Sequence, residues 1–168
     1  MSWRRVRASY ERLLEWIAIL LMAALAFEVM LGVVFRYSGY SLVWYDEVAT
    51  ILLAWVTFYG SALAVVKHAH MGVPEIVRMM PVGPRMAVTL FAQLATIAFY
   101  LLLAWTGYSI LEILATDSLV SLPGVSVAYA QSVIPITATL IIIAQVLVFP
   151  EVLAEARRGA IGKAEELI

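Results

Sequence analysis

One carboxylic acid, Glu28, stands deep inside the first of four long apolar runs of this 168-residue sequence. A carboxyl group at mid-bilayer depth costs several kcal/mol unless it is protonated, paired or hydrated, and it is a candidate for proton or ion transport. A proton relay needs a chain of such groups, however, and the other three runs contain no acid or base. The simpler interpretation is that Glu28 is protonated and forms a hydrogen bond to a neighbouring helix or protein. A channel or pump that acts alone is disfavoured.

A denser group of charged and aromatic residues separates the first two runs, in the segment FRYSGYSLVWYDE at residues 35–47. Asp46 and Glu47 precede the second run, so they fall in a first helical turn, where carboxylates interact favourably with the helix dipole. Arg36 is long enough to reach the same depth and pair with one of them. By themselves these residues describe a boundary between two helices. The aromatic residues of the segment suit a membrane headgroup layer; they include Tyr37, Tyr40, Trp44 and Tyr45.

Two histidines, His68 and His70, raise the question of a metal or haem site. They are two positions apart, so on a helix their side chains diverge, and no third or fourth ligand lies nearby in the sequence. A turn at the membrane surface, with the imidazoles facing headgroups or a partner, is the simpler interpretation. The sequence also has no nucleophile with an adjacent base and no glycine-rich phosphate loop. We expect no metal, no cofactor and no enzymatic activity.

The composition is that of a membrane protein. Hydrophobic residues make up 64% of the chain and charged residues 14%, and the mean hydropathy is +0.95. A soluble domain is about half apolar and about a quarter charged, so this much apolar surface cannot be hidden in so small a globule. The net charge of −1, with basic residues in loops and at the ends, argues against nucleic-acid binding. The absence of cysteine excludes disulfides and iron–sulfur clusters.

Four apolar runs are long enough to cross a bilayer, at residues 13–35, 48–66, 86–111 and 127–149. A crossing helix needs roughly 17–25 residues, and within lipid only helices or closed barrels satisfy the backbone hydrogen bonds. The runs lack the alternation that is typical of barrel strands. The sequence therefore predicts an all-α integral membrane protein with four transmembrane helices, in a single membrane domain over residues 1–168.

The basic residues predict the orientation of these spans. Lysine and arginine close to the spans are retained on the cytoplasmic side. Ten of the eleven lie before the first run, between the second and third runs, or after the fourth run, and Arg36 is the exception. Both termini are predicted to be cytoplasmic, and residues 35–47 to lie outside. The first run continues to Phe35, past the roughly 7–15 residues of a signal-peptide core, so we expect it to be retained. Short interfacial amphipathic segments are predicted at the start of the chain and at residues 71–85.

Small residues predict where the helices contact each other, because lipid provides no hydrophobic drive and close approach depends on small side chains. A row on the first span places Glu28 along a packing face; the row is Ala24, Glu28, Gly32 and Arg36. A small-residue stripe runs along the second span; it consists of Thr50, Ala54, Thr57, Ser61 and Ala64. In the fourth span Pro135 removes a backbone donor, which predicts a bend.

Several motifs together resemble the small membrane subunit of tripartite ATP-independent periplasmic (TRAP) transporters. In that family an Arg-Tyr pair ends the first span, a Trp and paired acidic residues open the second, a Trp and a Phe-x-Gly-x-Ala run lie within it, and a His with a hydrophobic residue follows. The corresponding residues here are Arg36 and Tyr37; Trp44, Asp46 and Glu47; Trp55, Phe58, Gly60 and Ala62; His70 and Met71; and then Pro81. Before the last span the family tends to have two prolines around an aromatic residue; here Ser126 takes the first place and Pro135 the last.

The resemblance implies an accessory role in secondary transport across the bacterial inner membrane. Such transporters combine a periplasmic binding protein that captures an organic acid, a large membrane subunit that moves it with sodium, and the small subunit as a fixed scaffold. The partners would be these two proteins and the membrane phospholipids. Glu28, Arg36, Asp46 and Glu47 would be interface residues that hold the large subunit or shape an outer docking surface.

Two other classes of protein remain open on the sequence alone. A membrane anchor of a redox enzyme complex would carry haem or quinone, and an independent channel would pass solute when reconstituted by itself. The substrate is not encoded here, since specificity is expected in the binding protein and the large subunit. Sialic acid, dicarboxylates, keto acids and other carboxylates all fit.

Overall fold

The fold consists of long α-helices. The computed structural model describes residues 2–40, 42–67 and 81–158, and no strand is assigned within these ranges. The helices are α1 (Ser2–Tyr37), α2 (Tyr45–Val66), α3 (Val82–Leu114), α4 (Val127–Gln131) and α5 (Val133–Arg158). Four stretches are long and apolar enough to cross a membrane, namely Arg5–Tyr37, Tyr45–Val66, Val82–Leu114 and Val127–Ala154. The predicted all-α fold with four spans is thereby confirmed.

The first helix is longer than a bilayer requires. Its 36 residues extend over about 54 Å at 1.5 Å per residue, whereas the hydrocarbon core is about 30 Å thick. The predicted amphipathic start is the first part of this continuous helix. The Trp3 indole N–H donates to the Leu147 carbonyl at 3.0 Å, and the Tyr10 hydroxyl donates to the Leu140 carbonyl at 2.7 Å. The beginning of α1 is thus fixed against α5. The second predicted interfacial segment comprises residues 71–85, of which residues 71–80 lie outside the described residues.

The end of α1 is set by Gly39, which has a φ of 83°. In this left-handed conformation the amide of Gly39 donates to the Arg36 carbonyl at 3.3 Å and the amide of Tyr40 donates to the Phe35 carbonyl at 3.1 Å. This pair of bonds is the Schellman arrangement, in which a glycine just past the last turn satisfies carbonyls that the helix leaves free. The chain then turns back, and α2 begins six residues later at Tyr45.

The fourth span is divided into α4 and α5 at Ser132. Pro135 has no amide hydrogen to donate to Gln131, so the helical ladder is interrupted here, in agreement with the predicted bend. The Trp55 indole N–H of α2 donates to the nearby carbonyl of Ala130 at 3.2 Å. A side chain from another helix therefore satisfies part of the interrupted backbone.

The spans pack side by side in the order α1, α2, α5, α3. The central place of the fourth span is visible in its burial: 50% of its most apolar stretch is buried, against 6% for the first and third spans. A core joins α1, α2 and α5 and consists of Leu14, Tyr59, Ala62, Val65, Val66, Val133, Ile141 and Ala144. The third span is attached to α5, where the side-chain Nε2 of Gln93 donates a hydrogen bond to the side-chain Oε1 of Gln145 at 2.6 Å.

The small-residue stripe of α2, predicted as a helix-contact face, is packed only in part against other helices of this chain. Thr50 and Thr57 are exposed, and the other three members of the stripe are only partly buried. The hydroxyl groups of Thr50 and Thr57 donate to carbonyls one turn back in the same helix, at 2.8 Å each. The buried face of α2 instead carries Tyr59, Ala62, Val65 and Val66. The stripe is therefore only partly packed within the chain, and Thr50 and Thr57 remain open to contact from outside it.

Candidate functional site

The charged segment between the first two spans lies at one end of the helices, here called the loop end. It comprises the end of α1, the beginning of α2, and the connection between the third and fourth spans at residues 115–126. Asp46 and Glu47 both fall in the first turn of α2, as predicted. The opposite end, here called the basic end, contains the beginning of α1 and the last turns of α5.

Glu47 fastens the start of α2 to the connection between the third and fourth spans. Its Oε2 accepts a hydrogen bond from the Ser121 amide at 2.8 Å, and its Oε1 accepts one from the Val120 amide at 3.2 Å. Two amides on one carboxylate form a charge-assisted, bidentate contact. The side chain therefore acts across 73 residues of sequence rather than on the amides of its own helix.

The connection at residues 115–126 has its own internal bonds. The Leu119 amide donates to the Val125 carbonyl and the Val127 amide to the Asp117 carbonyl, at 2.9 Å each. The Ser126 side chain accepts from the Ala128 amide at 3.2 Å and so caps α4. A serine at this position satisfies an amide at the start of the helix. These bonds fix the shape of the connection to which Glu47 is hydrogen-bonded.

Arg36 does not pair with either carboxylate in the part of the chain that the structure describes. The predicted ion pair is wrong: Glu47 accepts the amides of Val120 and Ser121, and Asp46 makes no described ion pair. Arg36, Tyr37 and Asp46 are instead exposed, and Tyr37 is 95% exposed. Trp44 is half-buried at the start of α2. The loop end thus presents free charged and aromatic groups beside a fastened loop.

The predicted row on α1 is buried only in its middle. Glu28 is 9% exposed and Gly32 is buried, whereas Ala24 and Arg36 at the ends of the row are exposed. The ring of Tyr45 occupies the space where a side chain at Gly32 would begin. The Oε1 atom of Glu28 is buried and has no hydrogen-bond donor in the described chain. The hydrogen bond predicted between Glu28 and a neighbouring helix of this chain is therefore not formed.

The remaining predicted site residues lie apart from one another. Trp55 stacks on Tyr59 with ring centroids 6.1 Å apart. Gly60 has open space around the position of a Cβ atom, so no close contact within the chain requires glycine there. Pro81 is exposed and precedes α3, whereas Pro135 is buried against Gly107, where an added Cβ would lie 3.1 Å from its ring. His68, His70 and Met71 lie outside the described residues.

The basic end is held by ion pairs that the sequence reasoning did not identify. The Arg7 guanidinium pairs with Glu151 and also donates to the Val66 carbonyl at 2.8 Å, which joins α1, α2 and α5. The Lys67 ammonium lies 2.5 Å from Glu15 and 3.8 Å from Glu11. The hydrogen bond to Glu15, with the charges of Glu15 and Glu11, raises the pKa of Lys67 above its usual value of 10.5.

The sequence did not predict the contacts of three further polar residues inside the helices. Gln93 and Gln145 are both buried and bond to each other between α3 and α5. Arg85 is 2% exposed, and its Nε donates to the Ala156 carbonyl at 2.8 Å. The only sequence signal was that glutamines are rare in the apolar runs and that one arginine directly precedes the third run.

No metal centre is apparent among the described residues. No group of three or more His, Asp or Glu side chains converges there. A cavity of about 310 Å³ opens between α3 and the break of the fourth span. Its lining is mostly apolar and includes Leu103, Gly107, Ile110, Leu114, Gln131 and Ile134.

These features define a class: a small multi-pass α-helical membrane protein whose described polar residues fasten its own helices and loops. The family model described as "Tripartite ATP-independent periplasmic transporters, DctQ component" matches residues 25–155. The chain belongs to this family, and it is thus a TRAP transporter small subunit, a component of the inner membrane and not an enzyme. The family works in a tripartite complex with a large membrane subunit and a periplasmic binding protein. A search of curated proteins found no match to this chain.

Proposed function

We propose that this subunit is a fixed scaffold for a large, sodium-coupled carrier that takes up an organic acid delivered by a periplasmic binding protein. The observation that carries the proposal is the family match over residues 25–155. The fold supports it, because the polar groups inside the described spans are few and none forms a continuous path. Glu28 has no acidic or basic neighbour to pass a proton to in the other three runs.

The open stripe of α2 is the surface we propose for the large subunit. Thr50 and Thr57 are exposed and their hydroxyl groups are already bonded within α2, so a partner helix can approach without leaving polar groups unsatisfied. Small residues allow close backbone contact, which is the main source of helix association in lipid. Arg36, Tyr37 and Asp46 extend the same contact to the loop end, while Glu28 and Glu47 support it from within the subunit.

A bulky residue on the stripe tests this surface. We expect Thr57→Trp to weaken co-purification of the large subunit by at least about tenfold, since a clash of 1–3 kcal/mol in a packed interface changes affinity by that order. Uptake of a labelled organic acid by cells that contain all three components should fall in parallel. Thr106→Trp, at an exposed threonine of α3, is the matched control. Equal co-purification and uptake in both variants would contradict the proposed surface.

Charge reversal at Arg36 tests the loop end separately. Arg36→Glu should impair assembly or uptake but leave membrane insertion unchanged, because Arg36 is exposed and contributes no described ion pair to the fold. Wild-type assembly and uptake would remove Arg36 from the interface. An absorption spectrum of the purified complex separates the scaffold from a redox anchor, because bound haem would give intense visible bands.

The orientation can be measured directly, because the chain contains no cysteine. We propose that both termini are cytoplasmic and that the loop end is periplasmic, from the distribution of lysine and arginine. Single cysteines at the exposed positions Ser38 and Ser9 mark the two ends. A membrane-impermeant maleimide should label Ser38→Cys in intact spheroplasts and Ser9→Cys only after permeabilisation. The reverse pattern would contradict the orientation.

A further inference from the structure

A buried arginine at the start of α3 lacks acceptors for most of its hydrogen-bond donors. Arg85 is the fourth residue of α3, and its Nε donates to the carbonyl of Ala156, in the last turn of α5. The final carbonyls of a helix have no partner within it, so this bond is favourable for both helices. The Nη1 and Nη2 atoms are buried as well, and neither has an acceptor.

Two unpaired guanidinium nitrogens indicate an anionic ligand. Arginine stays charged under all ordinary conditions, and a buried charge without an acceptor is strongly unfavourable. The planar fork of a guanidinium matches the two oxygens of a carboxylate or phosphate. No described carboxylate fills this place, since the ion pairs of the basic end involve Arg7 and Lys67.

The beginning of α3 offers further donors next to Arg85. The residue before the helix is Pro81, and no side chain caps the first amides. Those of Val82 and Gly83 therefore have no acceptor within the helix, and they lie at its positive end. Side chains of a helix lean towards its N-terminus, so an arginine at the fourth position can reach the space in front of these amides. Residues 81–84 are all exposed, which leaves the helix start open to its surroundings.

The depth of Arg85 in the membrane selects the kind of anion. The uncharged run of the third span begins directly after it, at Met86. The 33 residues of α3 extend over about 50 Å, so this end reaches beyond a hydrocarbon core of about 30 Å into the headgroup layer. Phosphate is the anion that phospholipid headgroups supply at that level. A helix start is also a well-suited phosphate site.

We propose that Arg85 and the first amides of α3 bind a phosphate group, supplied by the headgroup of a phospholipid. The phosphate meets the exposed amides first, and the guanidinium rotates outward to reach it, for which an arginine side chain has ample length. The bound phosphate supplies oxygen acceptors for both Nη atoms and for the amides of Val82 and Gly83. The site depends neither on the proposed partner surface nor on the orientation, since both leaflets contain phosphate.

Native mass spectrometry of the full chain, released from detergent with added lipid, tests the site. We expect the wild type to bind phosphatidylglycerol and Arg85→Gln to bind it at least about tenfold more weakly, because two charge-assisted hydrogen bonds are lost. Arg85→Lys, which keeps the charge but not the fork, should lie between them. The matched control is Arg157→Gln, at an exposed arginine near the end of α5, and its binding should stay within about twofold of wild type.

Two further ligands separate the sources of the anion. Diacylglycerol with the same acyl chains lacks the phosphate and should not bind to the site. This comparison of two lipids needs only the wild-type protein. Inorganic phosphate that binds in an Arg85-dependent manner, with no gain from acyl chains, would assign the same phosphate site to a free anion. Equal phosphatidylglycerol binding in wild type and Arg85→Gln would overturn the proposal. So would diacylglycerol binding as tightly as phosphatidylglycerol, or loss of a partner protein from Arg85→Gln with its lipid binding intact.

Discussion

At the scale of single residues, neighbouring carboxylates have different roles. Asp46 and Glu47 are adjacent in the first turn of α2, yet Asp46 is exposed whereas Glu47 accepts two backbone amides of another loop. The sequence predicted the helical turn for both because that property is local. Which carboxylate would find a distant partner depends on the rotation of α2 about its axis. Glu47 is thus a positioning residue for the connection at residues 115–126, and Asp46 is free for contacts outside the chain.

Amide hydrogen exchange can measure how strongly the Glu47 carboxylate protects the amides at residues 120–121. We expect Glu47→Gln to raise the exchange rates of the Val120 and Ser121 amides severalfold, because an uncharged amide oxygen accepts more weakly than a carboxylate and only one such oxygen remains. Asp46→Asn should leave these rates unchanged, since its side chain makes no described bond to the loop. Unaltered exchange in Glu47→Gln would mean that the internal bonds of the loop suffice.

At the scale of helices, the contact between α1 and α2 at the loop end depends on one glycine. The ring of Tyr45 lies directly against Gly32, so the two helices approach closely at the loop end. At the other end Lys67, just past α2, pairs with Glu15 and Glu11 of α1. The pair is therefore fixed at both ends by different means, by shape near the loops and by charge near the termini.

Gly32→Ala is expected to destabilise the subunit by roughly 1–3 kcal/mol, since the methyl group overlaps the Tyr45 ring and forces it to move. Thermal unfolding in detergent measures this change. Gly60→Ala is the matched control in α2, because no atom lies within 4 Å of its added Cβ. It should be neutral or stabilising by up to about 1 kcal/mol, the difference in helix propensity. Equal unfolding temperatures for the two variants would exclude the close contact at Gly32.

At the scale of the whole molecule, the two ends differ in how they are held. The loop end is joined by the carboxylate of Glu47 and backbone amides, whereas the basic end is joined by the ion pairs of Arg7 and Lys67. Between them, the fourth span contacts both α2 and α3, which leaves the first and third spans with large exposed faces. A subunit with so much apolar surface around one buried span suits a broad lipid or protein boundary.

The basic end predicts a dependence of stability on alkaline pH. Ion pairing raises the pKa of Lys67 above 10.5 in the folded protein, so the charged form is the one that folding favours. This contribution is fully present below pH 10.5 and is lost as the pH rises through the folded-state pKa. The unfolding temperature of the wild type should therefore fall more steeply than that of Lys67→Gln as the pH rises above about 10.5. Parallel curves for the two proteins would show that these ion pairs contribute nothing measurable.

The sequence by itself determined the class of fold and the location of the charged segment. Hydropathy and run length are local properties, and in lipid a backbone must bond to itself, so four helices followed without any tertiary information. The bend at Pro135 followed equally, from a missing amide. The family motifs in the first half of the chain were also visible in the sequence alone. They indicated the TRAP transporter family, which the match over residues 25–155 establishes.

Only the tertiary structure decided which faces and partners these helices use. It placed Tyr45 on Gly32, gave Glu47 the amides of a loop 73 residues away, and left the small-residue stripe of α2 open. It also set Arg85 against α5 with two unpaired nitrogens. Such contacts depend on the order and rotation of helices that are distant in sequence. Helical spacing defines the possible faces of each span, but the packing of bulky side chains among all four spans selects the one that is buried.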